Sequence, residues 1–478
     1  MKLHHFGCAA LLLAAAGCTP TQEPNSLTVT PSPSLDPVYT LSVQPMANQP
    51  SGMPAIHSMA SGTYTDGEGN ENWVFIGGRS NGFHRMFGPD KGFPVSKAND
   101  TLWVVSLAKN AAYGLAIPDH WAEGPQLRST NMEYTQAGDQ LFFAGGYGAP
   151  ESSGDSHMTF PSGLLIDLPT LGQAIISQDT AAAHGAISST GTDSTLMVTG
   201  GELEPLGDRY YLVFGQDYPR TYNQRSGNYT NRITELSISF SDAPKVTVGQ
   251  TYTYHGQPAS EYSTFHRRDL NVKHAYFGDT LGLIAYSGVF TDQDGAWFTP
   301  IKMVPQADGS LKVTEDTTFV QKANLYEAAS VLMYDSTTQV MYTSILGGIS
   351  NYYYDDATGK LAASDTLPLA GQLPFARLIN TIIMTPDGTM SEYIQPEVRL
   401  PYYLGANASF MPLAKYLHEG EILDWTKVSD AAGEGRTAVL IGYMVGGILS
   451  GGPQSGNGNP TQANPVLYEV YATPSETL

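Results

Sequence analysis

Six times along this 478-residue chain a short apolar run ends in a pair of small residues. The runs are WVFIGG (73–78), LFFAGG (141–146), TLMVTGG (195–201), LIAYSG (283–288), TSILGG (343–348) and IGYMVGG (441–447). Five end in Gly-Gly and one in Ser287-Gly288. A short apolar run bounded by glycine reads as a buried strand, and the glycines permit φ > 0 where that strand stops. Before each run stand a strand-like segment and a turn: SGTYTDGEGNEN, EYTQAGDQ, ISSTGTDS, HAYFGDT, LMYDSTTQ and VSDAAGEGR. After each, beyond a loop, comes an alternating segment: TLWVVSL (101–107), SGLLIDL (162–168), RITELSI (232–238), WFTPIKM (297–303), RLINTIIM (377–384) and VLYEVYA (466–472). Chance recurrence among 50 glycines does not put an apolar run before every pair.

A strand, a turn, a strand ending in Gly-Gly, a loop and a further strand resembles the blade of a Kelch propeller. The resemblance covers residues 38–478, although the Trp and Tyr landmarks that usually follow the glycines in that family are mostly missing. It implies an all-β fold, a closed β-propeller of six Kelch-like four-stranded blades in a single domain. Such a sheet cannot bury both faces alone, so blades must stack in a ring. The strand-like PVYTLSVQP (38–46) is available to close that ring beside the last blade. YYYDD (352–356) and DRYYLVF (208–214) read as aromatic loops suited either to stacking on sugars or to packing over their own blades.

The N-terminus carries a different signal. Residues 1–17 hold Lys2 and an Ala/Leu-rich run too short to span a bilayer, which reads as an export signal. LLLAAAGC, ending at Cys18, resembles the lipobox of bacterial lipoproteins. The resemblance implies cleavage before Cys18 and a diacylglycerol on its thiol. With Thr19 rather than Asp in the next position, it also implies an outer-membrane location, a membrane partner through lipid. Residues 18–37 continue as a Pro/Ser/Thr-rich stalk. Cys8 and Cys18 are the only cysteines, so the expected domain has no disulfide, thiolate site or cysteine nucleophile. A copper site built on a Cys–Tyr crosslink, known from one Kelch enzyme, is excluded on the same ground.

Charge narrows the partners. With 24 Lys and Arg against 45 Asp and Glu the net charge is -21, which argues against nucleic acid as a partner. The long loops after the glycine pairs suggest a built ligand-binding face. About 16 to 21 residues before five pairs stands a polar residue at the expected start of an innermost strand: His57, Arg128, His184, the cluster His266-Arg267-Arg268-Asp269, and Glu327. Asn407 is the sixth candidate. Together they are expected to ring a channel mouth and to suit a glycan, peptide or protein ligand.

The leading expectation is therefore a binding or scaffolding module rather than an enzyme. Its rival is an enzyme resembling the Kelch propellers that interconvert sialic acid anomers. That resemblance implies an Arg for the carboxylate and a Glu or His for proton transfer, roles that Arg268, Glu327 and His184 would fill. A glycoside hydrolase or lyase is a third reading. No cofactor is expected beyond calcium, for which DQDG (Asp292, Asp294) and DGEGN (Asp66, Glu68, Asn70) place oxygens at alternating positions; both suit hairpin turns better.

Overall fold

The computed structural model describes residues 35–84, 92–151, 156–222, 227–241, 243–256, 263–291, 295–355, 358, 360–363, 374–453 and 460–475. The chain is a six-bladed β-propeller, each blade built on four antiparallel strands. From axis to rim, blade 1 runs Ala60–Thr65, Glu71–Ile76, Thr101–Ser106 and Ala111–Ala116. Blade 2 runs Glu133–Ala137, Gln140–Ala144, Ser162–Asp167 and Ile187–Thr192. Blade 3 comprises Glu202–Leu206, Arg209–Val213, Arg232–Ser239 and Lys245–Thr253. Blade 4 comprises Asn271–Phe277, Thr280–Tyr286, Ile301–Pro305 and Leu311–Glu315. Blade 5 comprises Ser330–Asp335, Val340–Leu346, Leu378–Met384 and Met390–Arg399. Blade 6 takes Ala408–Pro412, Val439–Gly446 and Tyr468–Pro474 from the end of the chain and Tyr39–Pro45 from its beginning.

That last pairing closes the ring. Tyr39 to Pro45 lie antiparallel to Pro474 to Tyr468, so backbone hydrogen bonds between the two ends of the chain hold blade 6 together. The apolar side chains collect between blades rather than at one centre. Leu164 and Ile166 of blade 2 meet Val74 and Ile76 of blade 1, for example, while Leu41 and Val470 of blade 6 meet Val331 and Met333 of blade 5. The paired glycines are required by this stacking. A Cβ on Gly145 would lie 2.0 Å from the Val198 carbonyl oxygen, and one on Gly77 would lie 2.5 Å from that of Ser129. Any side chain there would push apart segments that must touch.

The repeat misassigns two blades. Gly200-Gly201 does not end a second strand; it precedes the inner strand of blade 3. The second strand is Arg209–Val213, so DRYYLVF is a core strand and not a loop. It ends in Phe214-Gly215, both at positive φ, so a phenylalanine stands where the pattern asks for glycine. ISSTGTDS contributes the outer strand of blade 2, displaced along the chain by two inserted helices, Leu168–Ser177 and Thr180–Gly185. VSDAAGEGR lies on and beyond the helix Trp425–Ala432, capped by the Asp424 carboxylate, and the inner strand of blade 6 comes earlier. In blade 4 the third strand begins only at Ile301. YYYDD forms one side of a hairpin, Tyr352–Asp355 against Lys360–Ala363.

The segment 413–438, between the first two strands of blade 6, is an insertion. Within it Ile422–Asp424 lies parallel to the inner strand of blade 5, pairing Leu423 with Met333, and Leu417–Glu419 adds a further antiparallel strand. Ile422, Leu423, Trp425 and Val428 are buried beneath it. Its turn carries Glu421 to the end of the axis remote from the glycine pairs. Among the described residues no helix is long and apolar enough to cross a membrane.

Candidate functional site

Six residues, one per blade, meet around the axis through a closed circuit of backbone hydrogen bonds. Asn131 N donates to Ser58 O (3.1 Å), Gly200 N to Asn131 O (3.2 Å), Asp269 N to Gly200 O (2.6 Å) and Glu327 N to Asp269 O (3.1 Å). Asn407 N then donates to Glu327 O (3.1 Å), and Ser58 N to Asn407 O (3.2 Å), which completes the circle. All but Glu327 adopt positive φ, between 48° and 70°, a conformation that turns each N–H toward the preceding blade. Asp269, Glu327 and Asn407 were legible as ring candidates. Ser58 is the neighbour of His57, and Asn131 lies three residues beyond Arg128.

On the glycine-pair side of this ring the loops fold inward and fill the axis. Arg268, 5% exposed, sits with its guanidinium 5.1 Å from the Phe290 ring, 5.9 Å from Tyr222 and 6.0 Å from Tyr229. Its Nη2 donates to Tyr222 Oη (3.3 Å), and its Nε lies 3.4 Å from Asp269 Oδ2. His84 packs on Phe83, Phe93 and Tyr222. Burial pushes both His57 and His84 down to about 3; the Arg79 guanidinium adds to this for His57, and those of Arg268 and Arg79 for His84. Both are therefore neutral around pH 7. Arg79 caps the Phe93 ring and donates to Pro94 O (2.9 Å).

The remaining candidates tie structure together or lie elsewhere. Arg267 is fully buried and donates to the carbonyls of Thr264, Ser287 and Thr299, with Trp297 beneath its guanidinium. His266 stacks on Tyr229 at 3.7 Å, and its carbonyl accepts from Trp297 Nε1. Arg128 donates to Ile117 O and Asp119 Oδ1, away from the ring. His184 lies on the second inserted helix of blade 2, stacked on Trp121 with its Nε2 3.2 Å from Glu123 Oε2. The helix insertion shifts it away from the start of blade 3, where spacing alone had put it. Asp66 accepts from the backbone N–H groups of Glu68 and Asn70, so DGEGN serves a hairpin. Cys18, Asp292 and Asp294 lie outside the described residues.

Beneath the ring the axis is hollow. A cavity of about 270 Å³ is lined by polar groups including Asn131, Tyr134, Glu202, Lys273, Glu327 and Glu421. Glu327 Oε2 accepts from Asn407 Nδ2 (3.0 Å), and Tyr134 Oη lies 3.2 Å from Ser61 Oγ. Lys273 Nζ stands 3.9 Å from Glu202 Oε1 and 3.9 Å from Glu204 Oε1. Burial lowers the Lys273 ammonium, but Glu202, Glu421 and Glu204 together outweigh it and hold the group above its ordinary value. Burial raises Glu327, with help from the Glu202 and Asp269 charges, and it likewise raises Glu133 and Asp269 beside the ring. Of the ring candidates chosen from sequence, Glu327 and Asn407 line this chamber, whereas Glu202, Lys273 and Glu421 were not among them. A signal for it existed: Glu202 and Lys273 stand on inner strands of a chain with only 14% charged residues.

Chemically, the two chambers differ in what they offer. Above the ring the cationic groups are already enclosed by rings and carbonyls. Below it, carboxylates, an ammonium, amides and hydroxyls face a common space. The sequence matches no family model and no curated protein.

Proposed function

We infer that this chain is an exported lipoprotein, held at the outer membrane by lipid on Cys18, whose Kelch-type propeller is a binding module for a glycan. The single observation that carries the ligand reading is the polar axial cavity beneath the ring. Hydroxyl and amino groups of a sugar would find acceptors in Glu202, Glu327 and Glu421 and a donor in Lys273. The acid surplus favours hydroxyl-rich or amino sugars over carboxylated ones. The stalk after Cys18 gives the domain reach from the headgroups, and lipid with more than one acyl chain gives stable anchoring.

The sialic acid mutarotase reading draws little from the geometry. It needs an accessible arginine beside a proton-transfer group, whereas Arg268 is enclosed by three rings and Asp269, and His184 contacts Trp121 and Glu123. A glycan array probed with the full chain carrying Cys18→Ala tests the binding reading. The expected result is retention by a defined subset of glycans, abolished by Ser409→Phe, which fills the cavity, and weakened by Lys273→Gln. No retained glycan, or retention indifferent to both substitutions in folded protein, contradicts it.

A further inference from the structure

Beside the cavity, three side chains from three parts of the fold converge: Glu204 of blade 3, His274 of blade 4 and Glu421 of the blade 6 insertion, of which Glu421 also lines the cavity. Their ligand atoms all lie within 4.8 Å of one another. His274 is 7% exposed, and its ring orientation is fixed by Nε2, which lies 2.6 Å from the Pro205 carbonyl and donates to it. That bond leaves Nδ1 as the nitrogen that faces the carboxylates. Nδ1 is 3.7 Å from Glu204 Oε2 and 3.5 Å from Glu421 Oε1, long ion-pair distances, and no closer polar atom reaches Nδ1 or Glu421 Oε1.

The geometry points to a site for one divalent cation of the zinc class, bound by His274 Nδ1, Glu204 and Glu421. Ligands about 2.0–2.2 Å from a tetrahedral metal stand roughly 3.3–3.6 Å from each other; the atoms here, at 3.5 Å, 3.7 Å and within 4.8 Å, need only a small inward adjustment of the side chains to reach that spacing. A histidine whose other nitrogen donates to a backbone carbonyl is the usual oriented ligand. An imidazole nitrogen in the set favours zinc-class ions over calcium or magnesium, which prefer oxygen throughout. The Glu421 side chain is 40% exposed, which provides a route for the ion from solvent. Three protein ligands leave one position for water or for a ligand oxygen. The bound ion staples the insertion to blades 3 and 4 across the end of the axis.

The test uses the untagged full chain in detergent, stripped with EDTA and dialysed, titrated calorimetrically with zinc chloride. One zinc per chain is expected, with a rise in melting temperature that calcium at equal concentration does not give. Glu421→Gln, on an insertion turn where loss of fold is not expected, should weaken zinc at least tenfold and remove the thermal shift; His274→Asn should do the same. Absence of saturable one-to-one binding overturns the proposal, as does unchanged affinity in a folded Glu421→Gln protein. A larger thermal shift with calcium than with zinc overturns the zinc-class assignment. Running the glycan array with and without EDTA keeps this result separate from the binding reading, since a failed zinc titration leaves glycan retention to stand or fall alone.

Discussion

Arg268 and Lys273 stand five residues apart on one segment, on opposite sides of the six-residue ring, and each is a cation taken out of bulk water. Arg268 is surrounded by the faces of Tyr222, Tyr229 and Phe290 and closed by Asp269. Its guanidinium is enclosed by groups that pack against it, with Nε held by the Asp269 charge at 3.4 Å rather than by a hydrogen bond, so it acts as a strut for the inward-folded loops. Lys273 instead faces Glu202 and Glu204 at 3.9 Å across the edge of a cavity. Ammonium and carboxylates held slightly too far apart for direct hydrogen bonds keep capacity for another molecule. The difference teaches that burial alone does not mark a ligand site; what matters is whether the polar groups are already used.

The largest effect expected from this contrast is on stability above the ring. Arg268→Ala leaves Asp269 buried without its partner and empties the space among three rings, and should cost about 3–5 kcal/mol in denaturant unfolding. Lys273→Gln should cost less, because Glu202 and Glu421 border the cavity and solvent there can take over part of the lysine's role. If the two substitutions destabilise equally, the contrast fails.

Buried histidines and buried carboxyls should also answer pH in opposite senses. His57 and His84 have folded values near 3, below the ordinary histidine value of 6.5, so the folded state binds fewer protons there. Their contribution is fully present above pH 6.5 and is lost as pH falls toward 3, by a few kcal/mol if both must charge. Glu133, Glu327 and Asp269 are raised by burial, and Glu392 is raised to about 7 by the same cause. For a raised carboxyl the folded state binds more protons, so stability falls as pH rises from about 4.5 through 7. Thermal melts between pH 4 and 9 should show both limbs. Glu133→Gln, which keeps an oxygen for Gly201 N–H, should flatten the alkaline limb and raise the melting temperature at pH 8 by about 1–3 °C. A decrease at that pH would refute the assignment.

The smallest expected effect on the folded domain is that of Cys18→Ala, which should release the protein from the membrane fraction with unfolding unchanged. Continued membrane association would show that the anchor lies elsewhere.

Much of this architecture was legible because propeller blades repeat a local physical problem. Each second strand must stop where the next blade approaches, and glycine is the residue that allows it, as Gly77 and Gly145 show. Blade 3 escaped because Phe214 takes positive φ itself, and because helices inserted in blade 2 shifted the spacing that made His184 look axial. Blade 6 escaped because its inner strand is separated from its second strand by the insertion that carries Glu421. The ring was half legible: Asp269, Glu327 and Asn407 are polar, but Ser58, Asn131 and Gly200 act through backbone groups that no side-chain pattern marks. The cavity went unread because its walls come from blades distant in sequence.

The most direct test of the central claim, that ligand binding belongs to the chamber below the ring, sets Ser409→Phe beside Arg268→Lys in one glycan-retention assay. Ser409→Phe should abolish retention while leaving the fold intact, and folded Arg268→Lys should retain the same glycans as the parent chain. Retention that survives Ser409→Phe but disappears with folded Arg268→Lys would place the site above the ring and contradict the account.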